Sequence, residues 1–151
     1  MVRWIVLALI VIGCTTPDTP VSPVVGLVVR DLRGDWKLLG WQQYQAGGSA
    51  TANLMDNGAT GQLSISLVGN FRFEFDAPGA PTRVDSGVVV VTNDVLLWEG
   101  ELVEANYRVT LRNGILTLRA IDPVFSSPPV PGGLRGSVFD VLQFGFLTPG
   151  S

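Results

Sequence analysis

The sequence predicts an all-β domain, an antiparallel up-and-down β-barrel of about eight strands, and three observations lead there. From about Arg30 onward apolar residues recur with period two rather than 3.6. Turn-forming pairs, Gly69 with Asn70, Asn93 with Asp94 and Asn113 with Gly114, separate successive apolar runs. Short connections alternate with long ones, the long ones spanning about 45–60, 77–82, 100–105 and 122–133. In a meander, that alternation gathers the tight turns at one end and the long loops at the other. Eight strands then close into a barrel whose interior either fills with side chains or holds one small ligand.

The elements follow in order. A first strand begins near Gly34 and Trp36. In 62–67, Leu63, Ile65 and Leu67 share one face, with Ser64 and Ser66 on the other. In 71–76, Phe71, Phe73 and Phe75 point inward and Arg72, Glu74 and Asp76 outward. The run 87–92 is β-branched and continuous, which predicts that both its faces are covered. Residues 107–112 alternate again, and Leu116 and Leu118 oppose Thr117 and Arg119. A last strand lies within 134–147, where Asp140 interrupts a mostly apolar stretch and leaves the two faces unassigned. Helix is not expected beyond a turn in a loop.

Composition narrows the function classes. The chain of 151 residues is 46% apolar and 15% charged, which excludes a disordered chain and fits one domain. The formal charge of −3 offers no basic face for nucleic acid. There is no histidine, which removes the usual general base, the usual activator of a Ser or Cys nucleophile and the commonest metal ligand. With one cysteine there is no internal disulfide and no Cys cluster for a metal. The expectation is a non-enzymatic protein with no cofactor and no metal.

The N-terminal segment reads as an export signal and an anchor. Arg3 supplies a positive start, and 4–12 is an unbroken apolar run too short to span a bilayer. It ends at Gly13 and Cys14, which resembles the lipobox of bacterial lipoproteins. The resemblance implies cleavage between Gly13 and Cys14, with the Cys14 thiolate taking diacylglycerol. Residues 1–13 are then the signal peptide and 14–29 a lipidated, proline-rich tether. Several acyl chains make a stable membrane anchor, palmitate among the candidates. Loss of Arg3 with the signal leaves 9 basic and 13 acidic side chains, a net −4. Thr15, where related lipoproteins retained at the inner membrane carry Asp, implies the cell envelope and, in a source with two membranes, the outer one, facing the periplasm or the surface.

The domain spans 30–151. At its start, Gly34 and Trp36 form a Gly-x-Trp motif, and with the turn pattern over 32–147 the domain resembles the lipocalin-like families. There the glycine admits the turn into the barrel and the tryptophan plugs the closed base, which is the role the resemblance implies for Gly34 and Trp36. Such families carry a basic residue near the end of the last strand, over that tryptophan. Residues 145–151 contain none, and Arg33 or another arginine near the base is the expected substitute.

Candidate ligand-binding residues are Tyr44, Leu63, Ile65, Phe71, Phe73, Phe75, Trp98, Tyr107 and Asp140, lining the barrel or its mouth; as plain core they would do as well. Tyr44, Trp41 and Phe125 are expected by or in the mouth loops. Asp140, if inward, needs a partner. Glu99, Glu101 and Glu104 read as solvated rim charges before a cation or sugar site, and 56–58 as a turn. Ser64, Ser66, Ser126, Ser127 and Ser137 have no activating base beside them. Two functions remain open. One is a membrane-anchored protein binding a small apolar or amphipathic ligand in the barrel. The other is a structural or protein-interaction module of the envelope with a filled barrel and a partner not identifiable from sequence.

Overall fold

The computed structural model describes residues 26–48, 50–126 and 130–147. The expected signal, Gly13, Cys14, most of the tether, Ser127 and the side chains of Phe125 and Ser126 lie outside the described residues. A 3-10 turn over Val29–Leu32 precedes ten strands: β1 Gly34–Gln45, β2 Thr51–Asn53, β3 Thr60–Ile65, β4 Asn70–Asp76, β5 Arg83–Thr92, β6 Val95–Gly100, β7 Val103–Arg112, β8 Ile115–Ala120, β9 Phe125–Ser126 and β10 Val138–Phe146. Eight of them pair antiparallel in a closed ring, β1-β3-β4-β5-β6-β7-β8-β10, with β10 returning to β1. β2 lies beside the upper half of β1, where β3 has diverged, and β9 pairs with β7. Closure leaves none of the eight with a free edge.

Side chains alternate inward and outward around the ring. Leu63, Phe73, Val89, Leu96, Val109, Leu116, Leu118 and Phe144 are among the buried set. Trp36 pairs with Leu63 and Phe146, so the wall and the floor share residues. Tight turns close the lower end. Asn93 and Asp94 have φ of 51° and 60°, and Asn113 and Gly114 51° and 74°, the doubly positive pairs of two-residue hairpins whose twist matches the strands.

Several local expectations are corrected. The third tight turn covers Ser66 to Gly69; Asn70 is already in β4, and Leu67 and Val68 stand exposed at the tip rather than on the inner face. β5 begins at Arg83 and alternates throughout, so Val88 and Val90 are exposed and 87–92 is not covered on both faces. The supposed long connection at 100–105 is only Glu101 and Leu102, because β6 and β7 extend further than their apolar residues suggest. The other upper connections are long, and one contains β2 and another β9.

At the base, the chain enters through Leu27, whose N–H donates to Asp94 Oδ1 at 3.0 Å. Leu32 is fully buried, and the Trp36 indole N–H donates to its carbonyl at 2.9 Å. Gly34 has φ +137°, and a Cβ there would run into the Phe146 ring. Phe146 meets Trp36 edge to face with centroids 4.9 Å apart. The expected cover by Arg33 is therefore not used. Arg33 points to solvent, and an aromatic ring from the end of β10 packs on the indole instead.

One irregularity decides the upper half. The register of β1 on β10 slips between Leu38 and Gly40, a β-bulge at Leu39. Below it Trp36 and Leu38 face inward; above it Trp41 and Gln43 do. Every later side chain of the strand changes face.

Candidate functional site

The candidate site is the upper interior, built on residues the sequence reading had marked. Phe73 on β4 is its hub: its ring meets Trp41 at 5.9 Å, Phe75 at 5.5 Å, Trp98 at 5.9 Å and Phe144 at 5.7 Å. Phe71 packs on Trp98 at 4.1 Å, Trp41 on Phe75 at 5.2 Å and Trp98 on Tyr107 at 6.2 Å. Tilted and edge-on pairs at these separations add to the apolar burial of each ring. Leu63 and Ile65 complete the wall below. Tyr44 does not join this group. It is 39% exposed on the outer face, its hydroxyl donating to Gln42 Oε1 at 2.6 Å. Trp41 lies beside the first upper connection, its carbonyl accepting from the Leu54 N–H at 3.0 Å, and its side chain is buried in the wall.

Above the rings the interior turns polar. Asp140 is inward and 3% exposed, and Gln43 Nε2 donates to its Oδ1 at 2.9 Å. The other end of the same amide holds the connection before β10: Leu134 N–H donates to Gln43 Oε1 at 2.8 Å. Burial raises the Asp140 carboxyl to about 6, against the pull of Gln43 and, more weakly, of Trp41. The Trp41 indole N–H is near enough to favour the charged carboxylate but closes no hydrogen bond of ordinary geometry, and it is buried without a partner among the described residues.

Asp85 on β5 is the second buried acid. Trp98 Nε1 donates to its Oδ2 and Leu102 N–H to its Oδ1, both at 2.8 Å. Gly100 makes room for that carboxylate, since a Cβ there would collide with it. Arg83, on the same inward phase, has its guanidinium 5.5 Å above the Phe75 ring. Partial burial lowers its pKa and the neighbouring Asp85 charge raises it again. Tyr107 is wholly buried, and burial, then Asp140 and Asp85, push its phenol well above the ordinary range.

Sequence reasoning had not singled out Asp85, Arg83 or Gln43 as site residues. Parity could have found the first two: counting back by twos from Val89 passes through Gly87, Asp85 and Arg83. Gln43 lies beyond the bulge, where parity misleads.

Trp41, Asp85, Tyr107, Val130 and Asp140 border a void of about 20 Å³, room for one or two waters. An ordered water there would give the Trp41 N–H an acceptor and bridge to Asp140. The other carboxylates do not gather: Glu99, Glu101 and Glu104 are exposed at the upper end, Glu99 directly opposite Glu104. Among the described residues no group of acids is arranged to hold a metal ion. Residues 56–58 form an exposed turn, with Gly58 at φ +81°. No protein-family model matches the chain, and no curated protein matches it.

Proposed function

We propose that the chain is a cell-envelope lipoprotein, anchored through Cys14, whose lipocalin-like barrel serves as a non-enzymatic interaction module with a filled interior. The observation that carries this reading is the ring network around Phe73. The side chains that would line a ligand cavity touch one another and leave about 20 Å³, whereas small-molecule sites occupy on the order of several hundred Å³. A filled barrel leaves recognition to its surface, and the long upper connections offer the most varied surface to a protein partner.

A second reading keeps the barrel as a carrier of a small amphipathic molecule. It is favoured by the Trp41 N–H, without a hydrogen-bond partner among the described residues, beside the buried Asp140, a donor and an acceptor suited to a polar head group.

Native mass spectrometry of protein purified from membranes tests both readings. The interaction module predicts a single mass, that of the acylated chain, unchanged by delipidation of the solvent phase. A discrete non-covalent adduct, lost on delipidation and regained from envelope lipid extract, would establish the carrier and reject the filled module. Labelled palmitate should enter the wild-type chain and fail to enter Cys14→Ala.

A further inference from the structure

The two ends of the barrel present different chemistry to solvent. At the lower end the β3–β4 turn holds Leu67, 59% exposed, and Val68, 76% exposed, side by side at its tip. Ile115 and Phe146, on neighbouring strands, are also exposed there, at 42% and 44%, and Val28 at 39%. This end is not acidic: Arg30, Arg33, Arg108 and Arg112 are exposed along with Asp31, Asp35 and Asp94. The upper end is acidic, with Asp56, Asp76, Glu99, Glu101, Glu104 and Asp122 exposed against Arg119 and Arg135.

The chain enters at the lower end, where the Leu27 N–H is held by Asp94. Cys14 lies only 13 residues before Leu27. At most about 3.5 Å per residue, 13 residues reach no further than about 45 Å. A lipid on Cys14 therefore tethers the barrel from its lower end, and an anionic surface repels the acidic upper end more than this one.

We propose that the lower end is a membrane-contact face, with the Leu67 and Val68 turn seated in the boundary between head groups and acyl chains of the bilayer that holds Cys14. The inference rests on the anchoring of Cys14. It sets the barrel upright, with its long connections directed away from the membrane. Two adjacent aliphatic side chains at a hairpin tip stand mostly in water; at an interface they leave it, as the apolar face of a surface-lying helix does. The site is small enough for reversible seating, with the acyl anchor supplying retention.

The test uses the full chain reconstituted in phosphatidylethanolamine and phosphatidylglycerol vesicles. Leu67→Cys, Val68→Cys and, as the upper-end control, Glu101→Cys are labelled in separate proteins with an environment-sensitive fluorophore; all three positions are exposed, so folding is spared. An acylated Cys14 has no free thiol and takes no label. The proposal expects a blue-shifted probe at 67 and 68, with quenching by an aqueous agent roughly tenfold slower than at 101. Equal quenching at all three positions in chains whose mass includes the acyl groups would overturn the contact face and leave the anchor standing. A mass without acyl groups, with label on Cys14, would overturn both. Protection at 67 and 68 that needs no bilayer and grows with protein concentration would assign the tip to a second copy and overturn the proposal.

Discussion

The lower and upper halves of the barrel are built to different rules. Below the bulge at Leu39 the interior is apolar and closed: Trp36 spends its one donor on the Leu32 carbonyl, and Phe146 seals it. Above the bulge the same wall carries Gln43, Asp85 and Asp140, all buried, and the Trp41 indole N–H, which closes no hydrogen bond among the described residues. A core satisfied within the protein needs nothing more for folding. A buried donor left open costs free energy, on the order of 1–3 kcal/mol, unless water or a ligand answers it. The contrast places the molecule's unfinished chemistry in the upper half, and the rings around Phe73 separate the two halves.

The largest expected effect comes from removing that divider. Phe73→Ala should cost about 3–5 kcal/mol in urea unfolding, because the hub ring is buried and meets four other rings. A loss below about 1 kcal/mol would mean that the ring borders open space and that the upper half is a cavity.

Next comes the titration of Asp140. Its folded value of about 6 lies above the 3.8 of an ordinary aspartate, so between these two the folded state binds more protons than the unfolded. Wild-type stability should then fall as pH rises from about 4 through about 6, by up to about 3 kcal/mol, and level off above. Asp140→Asn, which keeps an acceptor for Gln43, should lose this fall and be more stable than wild type at neutral pH. Parallel curves for the two proteins would take the ionised carboxyl out of the account.

A smaller effect is expected at the base. Gly34→Ala combines a positive φ with a collision against Phe146, and should cost about 1–3 kcal/mol in the same assay with no change in the pH profile. Smallest of all is Leu67→Ser with Val68→Ser, which should stay within about 0.5 kcal/mol in detergent, since both side chains are mostly exposed.

How much of this the sequence disclosed follows the same division. Period two and the Asn93, Asp94 and Asn113, Gly114 turns gave the meander and its closed end, because local chemistry decides both. Phe71, Phe73, Phe75, Trp98 and Tyr107 came out as neighbours for the same reason. The bulge is a tertiary accommodation with no composition signal. Without it the phase of Trp36 and Leu38 would carry Tyr44 inward and Trp41 outward, the reverse of what is found. Asp140 could not be assigned because Phe139 and Val141 are as apolar as Val138 and Leu142, and only pairing with β8 and β1 fixes the face. Asp85 escaped notice because the β-branched run drew the start of β5 at Gly87, four residues too late.

The filled interior is tested most directly by the electron density between Phe73, Trp98 and Asp140 in crystals of protein purified with its own anchor. The account predicts the rings in contact and, in the void beside the Trp41 N–H, density for no more than one or two waters, one of them bridging to Asp140. Elongated density entering from the upper connections, with Phe73 or Trp98 turned aside to admit it, would contradict the filled barrel and make the chain a carrier.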